Sequence, residues 1–508
     1  MCIAAAMSRM AEQRPNLLIF MPDQLRADAL GCFGNPVAHT PNIDALARRG
    51  TRFTEAYVNH PVCGPSRVNL MTGWYPHTRG HRTLTHLVQA HEPNLLRYLK
   101  DGGYHVAFAG HRGDMFAAGV TEASTHFCGW TTRPARGQMG MGPQHPEHSP
   151  LYHAFVHGLR TPVTEGENWL DFDEAATRTA IDWLATGAGA GASIGAPWCL
   201  FVPLIFPHLP FEVEPHWHEL HAGKAMPPPV APAAMRGKPR FMTEVPRRAH
   251  LDQLTAEHWG DIARLYHAMV SRVDDQLGRV LQAVQHIGAT ANTDVFFFTD
   301  HGEYLGDFGM VEKWPSGLDP CITRNPLIVA GPHARAGATC HSFVEMVDIL
   351  PTMLELAGVT ATHSHFGRSL VPLLAGDAAN ARTFACTEGG FRVQDEHLFE
   401  RPAGEYRLKG ELQHEQPELV GKAFCLRTDA WSYVWRQHER EELYDRGRDP
   451  QEVVNLLADA GGEAMHALRV GELRAQLLRW LADTSDVIPW TPDARFSPIP
   501  HGQHTPFP

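Results

Sequence analysis

Asn16-Leu17-Leu18-Ile19-Phe20-Met21 is a short, continuous apolar run near the start of the chain. A run of this length without polar alternation is typical of a parallel strand that is covered on both faces. Similar runs recur further along the chain, at residues 105–109, 198–202, 295–298 and 327–329. They predict further strands of the same buried sheet.

Amphipathic segments lie between these apolar runs, at residues 43–49, 95–100, 175–184 and 262–287. In the last of them, apolar residues recur mostly three or four positions apart, which indicates one face of a helix. Strands that alternate with helices predict an α/β fold: a large, mostly parallel sheet flanked by helices on both faces. We assign this unit to residues 15–380.

The pattern changes from about Arg382 onward. Three short strand candidates, at residues 383–386, 423–426 and 432–435, follow one another without clear helices between them. They predict a smaller antiparallel sheet, followed by a helix over about 462–482. We therefore expect a C-terminal α+β subdomain over 381–484 and a proline-rich extended tail over 485–508, which could pack on a neighbouring subunit of a homo-oligomer.

Composition narrows the classes of function. The chain has 508 residues, of which 20% are charged and 43% hydrophobic, as in a globular protein with a large core. A formal charge of −12 argues against a nucleic-acid partner. The nine cysteines show no paired metal-type spacing, and we see neither a signal peptide nor an apolar run that could span a membrane. The expected location is cytoplasmic, without a membrane partner.

Metal-competent side chains follow two of the predicted strands. Asp23-Gln24 comes after the first strand, and Asp300-His301 follows the run at 295–298. Because ligands bind at the carboxyl ends of parallel strands, these residues are expected at one edge of the sheet. An isolated Asp there is commonly a helix cap, but two such pairs favour a shared divalent cation.

The segment Cys63-Gly64-Pro65-Ser66-Arg67, which continues to Thr72-Gly73, places a potential nucleophile next to a proline and a fixed cation. Proline is tolerated in the first turn of a helix, so Cys63 is expected at a helix N-terminus, where free amides attract anions. The planar guanidinium of Arg67 suits a tetrahedral oxyanion. Taken without its context, the segment favours a buried cysteine before an ordinary helix.

The identities and spacing of this segment resemble the signature of the type I sulfatases, within the alkaline phosphatase superfamily. The resemblance covers most of the chain, from Pro15 to about Trp480. In that family a separate formylglycine-generating enzyme oxidises the cysteine, and the hydrate of the resulting aldehyde attacks the ester. The resemblance therefore implies a nucleophile made from Cys63 and maturation by such a partner.

The resemblance also implies a ligand set for the cation: Asp23, Gln24, Asp300, His301 and the modified Cys63. Most family members carry two acids at the first pair, whereas Gln24 is neutral here. A site with fewer carboxylates and one imidazole suits calcium less well and admits manganese or magnesium. A cation there would withdraw charge from the ester and lower the pKa of the attacking hydroxyl.

Three further positions correspond to catalytic residues of the family. His208, between two prolines, resembles a histidine that binds the ester, and Lys313 resembles a lysine that contacts the departing oxygen. The family's Gly-Lys-x-His stretch is replaced by Gly110-His111-Arg112-Gly113, so His111 is the candidate proton acceptor. Outside the matched motifs, His208 would be an ordinary loop histidine and Lys313 a surface lysine.

We expect a sulfuric ester hydrolase of arylsulfatase type, with a small-molecule sulfate monoester as substrate. The closest alternative is a phosphonate monoester or phosphodiester hydrolase with the same nucleophile and cation, because that branch resembles this chain in its Asp-Gln and Asp-His pairs. A second alternative is a sulfatase-like protein that binds an anion without turning it over. Two histidine-rich segments, at 145–157 and 216–221, are expected to be solvent-facing loops near the cleft, with metal binding as the alternative.

Overall fold

The computed structural model describes residues 14–110, 114–134, 142–160, 171–190 and 196–487. Its strands are β1 Asn16–Met21, β2 Gly50–Phe53, β3 Ala56–Tyr57, β4 His105–Ala109, β5 Phe127–Gly129, β6 Val156–Leu159, β7 Trp198–Pro203, β8 Phe211–Val213, β9 Thr293–Phe297, β10 Ile328–Ala330, β11 Ala338–Cys340, β12 Val344–Glu345, β13 Ala385–Gly389, β14 Ala423–Arg427, β15 Trp431–Arg436 and β16 Glu442–Asp445. Its α-helices are α1 Pro41–Arg49, α2 Cys63–Thr72, α3 Pro76–Arg79, α4 Leu95–Asp101, α5 Val120–Ser124, α6 Pro150–His153, α7 Phe172–Ala190, α8 Pro215–Glu219, α9 Phe241–Arg248, α10 Ala256–His286, α11 Pro320–Thr323, α12 Ile349–Ala357, α13 Val371–Ala375, α14 Arg407–Glu415 and α15 Ala460–Thr484.

The main sheet has eight strands in the order β11-β2-β10-β9-β1-β7-β4-β5. Strand β10 runs antiparallel to both of its neighbours, β9 and β2, and the other pairings are parallel. The first apolar run of the sequence forms β1, near the middle of the sheet, and all its residues are buried. The predicted mostly parallel sheet is therefore confirmed.

Side chains of alternate residues in β1 enter two separate cores. Leu18 and Phe20 pack on one face of the sheet, where the long helix α10 supplies much of the opposing surface. Leu17 and Ile19 pack on the other face, against apolar residues of α2, α4 and α12. Because each buried side chain of this kind contributes roughly 1.5–3 kcal/mol, helices on both faces are needed to keep such a strand covered.

The C-terminal sheet is antiparallel, in the order β13-β14-β15-β16, and α15 packs against it through Leu473, Leu477 and Trp480. This confirms the predicted smaller sheet and its helix. Two elements were not predicted: the fourth strand, β16, and the helix α14 between β13 and β14. The sequence of α14 contains a central glycine and buries few apolar residues, so its helical periodicity is weak.

The strand order brings four chain segments to one edge of the sheet. Strands β9, β1, β7 and β4 are consecutive neighbours and parallel, so their carboxyl ends lie side by side. Asp23 follows β1, Asp300 follows β9 and His208 follows β7. The topology therefore gathers residues that are far apart in the sequence at a single site.

Two predictions concern positions outside the described residues: the role of His111, and the tail beyond residue 487. Within the described ranges, no helix has both the length and the apolar character that a bilayer crossing requires. The domain boundaries at 380 and 484 stay predictions.

Candidate active site

Helix α2 begins at Cys63, with Val62 as the preceding cap residue in an extended conformation. The first intrahelical bond runs from the amide of Ser66 to the carbonyl of Val62 at 3.0 Å. Pro65 therefore occupies a position whose missing N–H costs no helical hydrogen bond. The helix ends at Thr72 and is capped by Gly73, whose φ of 68° favours glycine. Cys63 thus lies at a helix N-terminus, where the sequence placed it.

The Cys63 thiol lies in a pocket of charged groups. Burial raises its pKa to about 12, and the charge of Lys313 acts in the opposite direction. A thiol with such a pKa is protonated at neutral pH and is a weak nucleophile. The unmodified cysteine is therefore poorly suited to attack an ester in this environment.

Asp23, Asp300 and His301 form the centre of the site. Each is fully buried, and one potential ligand atom from each lies within 4.8 Å of the others. His301 Nδ1 donates to the carbonyl of Gly302 at 2.9 Å, which directs the Nε2 atom toward the carboxylates. Burial lowers the pKa of His301, so its imidazole is neutral and Nε2 carries a lone pair.

His301 Nε2 has no hydrogen-bond partner within the described part of the chain, although it is buried. It lies 3.4 Å from Asp23 Oδ1, so two electron-pair donors face each other. A buried donor set of this kind is satisfied by a cation, and its mixture of oxygen and nitrogen atoms fits a divalent metal. The residues present therefore fit the cation that the sequence implied.

Arg67 is fully buried and binds three carboxylates at once. Its Nη2 atom lies 2.8 Å from Asp23 Oδ2, and its Nε atom lies 2.7 Å from Asp300 Oδ2. Its Nη1 atom donates to Asp114 Oδ1 at 2.7 Å. The sequence predicts that this guanidinium suits a tetrahedral oxyanion, and that role stays a prediction. In the structure its planar fork holds the acidic residues of the site in place.

Asp114 was not identified from the sequence. Its carboxylate belongs to a second group of possible ligands with Asp23 and Cys63, whose atoms also lie within 4.8 Å of one another. The residue follows β4, which ends at Ala109, and so lies at the same edge as the other acids. An acid shortly after a parallel strand was the available signal, but the family resemblance at this stretch concerns only lysine and histidine.

Gln24 has a φ of 64°, which is uncommon for a residue other than glycine and marks a constrained backbone. Its backbone N–H donates to Asp300 Oδ1 at 3.2 Å. Its side-chain amide donates to Glu303 and accepts a hydrogen bond from Lys313 Nζ at 3.1 Å. Burial raises the pKa of Glu303 to about 7. The amide of Gln24 is thus fixed by a donor on one side and an acceptor on the other.

Lys313 and His208 are in direct contact. Lys313 Nζ lies 2.8 Å from His208 Nε2 and 2.6 Å from Glu312 Oε1. Burial acts to lower the pKa of Lys313, but the carboxylate of Glu312 and other neighbours raise it well above its ordinary value. Burial and the lysine charge lower the pKa of His208 to about 4. The pair therefore consists of a charged amine and a neutral imidazole.

Asp173 binds the backbone of the loop that carries His208. The carboxylate of Asp173 accepts from the backbone N–H groups of Ile205 and Phe206 at 2.7 and 2.8 Å. The guanidinium of Arg272 lies 4.8 Å from the centre of the Phe206 ring, a cation–π distance. His208 is itself fixed, because its Nδ1 atom donates to the carbonyl of Leu209 at 2.8 Å.

The histidine-rich segments at 145–157 and 216–221 have different surroundings. Among the described residues, neither possible metal-binding group contains a histidine from these segments. His157 is buried and lies 3.4 Å from Glu212 Oε2 and 3.0 Å from Glu405 Oε2. It therefore joins the N-terminal part of the chain to the segment that precedes α14.

Comparisons with known proteins identify the family of the chain. The family described as Sulfatase matches residues 15–359. A sulfatase of Formosa agariphila is 26% identical over 470 residues, which cover 87% of this chain and 83% of that protein. A multifunctional alkaline phosphatase superfamily protein of Trinickia caryophylli is 26% identical over 527 residues, which cover 93% and 96%.

Solved structures show the same fold. The crystal structure of a phosphonate monoester hydrolase of Agrobacterium radiobacter superposes with a TM-score of 0.72. The match covers 93% of this chain and 96% of that chain, at 23% sequence identity. With a family match over well more than half of its length and this shared architecture, the chain belongs to the sulfatase family.

Proposed function

We propose that this protein hydrolyses sulfate monoesters with a formylglycine made from Cys63 and one divalent cation. The observation that carries the proposal is the convergence of Cys63 on Asp23, whose carboxylate also faces Asp300 and His301. Family membership supports it, as do relatives named as a sulfatase and as the choline-sulfatase of Rhizobium meliloti. Maturation would need a formylglycine-generating enzyme as a partner.

The cation would be held by Asp23, Asp300 and His301, with the amide oxygen of Gln24 and the modified Cys63 adjoining them. When bound, it supplies positive charge that activates the nucleophile and offsets charge that develops on the ester. Arg67 binds both Asp23 and Asp300 and holds their carboxylates in place. The ligand geometry is therefore formed before the cation and the ester bind. Calcium, manganese and magnesium are the candidate ions, and the imidazole of His301 suits calcium least, because calcium prefers oxygen ligands.

Lys313 and His208 are the proposed residues for the leaving group. A charged amine at this position stabilises negative charge on the departing oxygen as the bond to sulfur breaks. The neutral imidazole of His208 holds Lys313 Nζ at 2.8 Å, and Glu312 holds it from another side. The lysine is therefore presented in one orientation, which preserves its alignment with a bound ester.

A phosphonate monoester hydrolase is the second candidate. The observation that favours it is Gln24, a neutral amide that replaces an acid at the first cation-binding pair, together with His301 at the second. Sulfate monoesters and phosphonate monoesters both carry a single negative charge at neutral pH, so the charge of the site does not separate them. The superfamily relative of Trinickia caryophylli, described as multifunctional, is consistent with either substrate.

Steady-state kinetics would rank the two candidates. The metal-loaded protein is assayed with 4-nitrophenyl sulfate and with 4-nitrophenyl phenylphosphonate, which share a leaving group. The proposal expects the higher kcat/KM for the sulfate. A phosphonate preference of about a hundredfold, or roughly 2.7 kcal/mol, would overturn it in favour of the second candidate.

The nucleophile is tested separately by mass spectrometry of the intact protein. After coexpression with a formylglycine-generating enzyme, the intact protein should be lighter than the unmodified chain. The expected decrease is the difference in mass between a CH2SH group and an aldehyde. Cys63→Ala should abolish turnover and remain folded, whereas Cys32→Ala, a cysteine outside the site, should keep full activity. A fully active protein with an unmodified thiol would refute the assignment, and an inactive one that binds anions would favour a non-catalytic role.

A further inference from the structure

Tyr406 is a partly buried residue with no role in the proposed reaction. It ends the short turn Gly404–Tyr406 and is followed directly by α14. Its hydroxyl is buried and, among the described residues, has no hydrogen-bond partner. A buried hydroxyl without a hydrogen-bond partner costs about 1–3 kcal/mol of stability. A ligand that binds during function would supply the missing acceptor.

Three residues after the phenol, Lys409 pairs with Glu312, which also pairs with Lys313. The charges of Lys313, Glu312, Asp23 and Glu303 act on the phenol. Burial, with those carboxylates, raises the pKa of Tyr406 well above its ordinary value, so the group keeps its proton and acts as a hydrogen-bond donor. It is thus a neutral O–H donor beside a centre that would receive an anion.

Contacts on both sides of Tyr406 hold it against the N-terminal part of the chain. Before it, Glu405 pairs with His157 at 3.0 Å. The Tyr406 ring itself packs on Phe155, with ring centres 4.6 Å apart. After it, Lys409 Nζ lies 2.9 Å from Glu312 Oε2, and Glu312 also holds Lys313. The position of the hydroxyl is therefore set before any ligand binds.

Lys313 cannot easily satisfy that hydroxyl. Its Nζ atom contacts His208 Nε2 and donates to Gln24 Oε1, and it forms an ion pair with Glu312 Oε1. A lysine ammonium has no lone pair to offer, so it cannot accept a hydrogen bond from Tyr406. A bound oxyanion could accept one hydrogen bond from the Tyr406 hydroxyl and another from Lys313 Nζ, because each of its oxygens has several lone pairs.

We propose that Tyr406 contacts the substrate, donating a hydrogen bond from its hydroxyl to an oxygen of the bound anionic ester. This inference rests on the proposed function, since it takes the ester to bind next to Lys313. The substrate contact would then come from the segment that connects β13 and β14 of the C-terminal sheet. This segment reaches the site only through tertiary packing.

The test compares Tyr406→Phe with Tyr152→Phe, a matched loss of a hydroxyl on the neighbouring helix α6. Inorganic phosphate and sulfate serve as probes, and their affinities are measured by calorimetry on the metal-loaded protein. Tyr406→Phe is expected to weaken anion binding about tenfold, as for a hydrogen bond to a charged group, without lowering Tm. Tyr152→Phe is expected to leave both quantities unchanged.

Anion binding does not require turnover, so this test is separable from the test of the proposed function. A wild-type protein that hydrolyses none of the esters but shows the tenfold effect would retain the substrate contact and reject the activity. Unchanged phosphate and sulfate affinities in Tyr406→Phe, or a wild-type protein that binds neither anion, would overturn the inference. A loss of affinity that is accompanied by a lower Tm, or is equal in Tyr152→Phe, would also overturn it.

Discussion

Asp23 Oδ1 and His301 Nε2 lie 3.4 Å apart in a fully buried environment, with a lone pair of the neutral imidazole facing a carboxylate oxygen. Two such atoms repel each other unless a cation lies between them. We expect binding of one divalent cation to raise the free energy of unfolding above that of the metal-free protein. The expected increase is about 2.7 kcal/mol when the cation concentration is a hundred times Kd. Thermal unfolding with added calcium, manganese or magnesium measures this effect.

His301→Ala should lose most of that stabilisation, whereas His286→Ala, an exposed histidine at the end of α10, should retain it. Metal analysis should give one bound ion per wild-type chain and a lower content in Asp300→Asn. Full metal content in Asp300→Asn would contradict the proposed ligand set.

Arg67→Lys is expected to destabilise the protein although it conserves charge. A lysine cannot bridge Asp23, Asp300 and Asp114 at the same time, so buried carboxylates would lose their partners. The free energy of unfolding should fall by about 3–5 kcal/mol, measured by denaturant titration. Arg264→Lys, in a pair on the surface of α10, should change it by less than about 1 kcal/mol. Equal effects of the two variants would be evidence against the bridging role.

Gln24→Glu should lower stability at pH 8, because it replaces the amide donor to Glu303 with a second carboxylate. The expected loss is about 1–3 kcal/mol. The double variant Gln24→Glu with Glu303→Gln exchanges donor and acceptor and should recover most of the loss. Thermal unfolding of the two single variants and the double variant gives the coupling, and simple additivity would show that the two side chains do not interact.

His157 should make stability depend on pH above neutrality. Burial acts to lower its pKa, but the neighbouring carboxylates of Glu212 and Glu405 raise it to about 9. Because the folded pKa lies above the ordinary value, the stabilisation is fully present below about pH 6.5 and is lost as pH rises through 9. We expect a loss on the order of 2 kcal/mol over this range.

His157→Gln cannot gain or lose this charge, so its Tm should vary less than that of the wild type between pH 6.5 and 10. His250→Gln, a histidine outside this pair of carboxylates, serves as the control. Parallel Tm profiles for His157→Gln and the wild type would contradict the assignment. Because His157 holds Glu405, the same titration should also weaken phosphate binding if the neighbouring Tyr406 contacts the anion.

Much of the fold was readable because its signals are local. The continuous apolar run at Asn16–Met21 forms a central strand of the sheet. The long segment with helical periodicity forms the helix Ala256–His286. The helix start at Cys63 followed from the position of Pro65, since proline needs no partner in the first turn. Helix α14 was missed because its few buried side chains leave little periodicity.

The composition of the site was only partly readable. Asp23, Asp300 and His301 were found because each follows a strand, and parallel strands end at one edge. The contacts of Arg67 with these acids and with Asp114 were not predicted, because a hydrogen-bond network between a helix and three separate loops leaves no spacing pattern in the sequence. Tyr406 gave no signal either, since neither a motif nor a period connects it to Lys313.

By itself, the sequence determined the α/β sheet, the helix that begins at Cys63 and the chemical types available at the strand ends. These depend on short-range periodicity, on proline geometry and on side-chain chemistry, which adjacent residues carry. Only the tertiary structure decided that Arg67 binds carboxylates, that Lys313 lies against His208, and that a C-terminal tyrosine approaches the same centre. Such contacts depend on how separate elements pack, and the free energy of that packing is distributed over both cores rather than over any one segment.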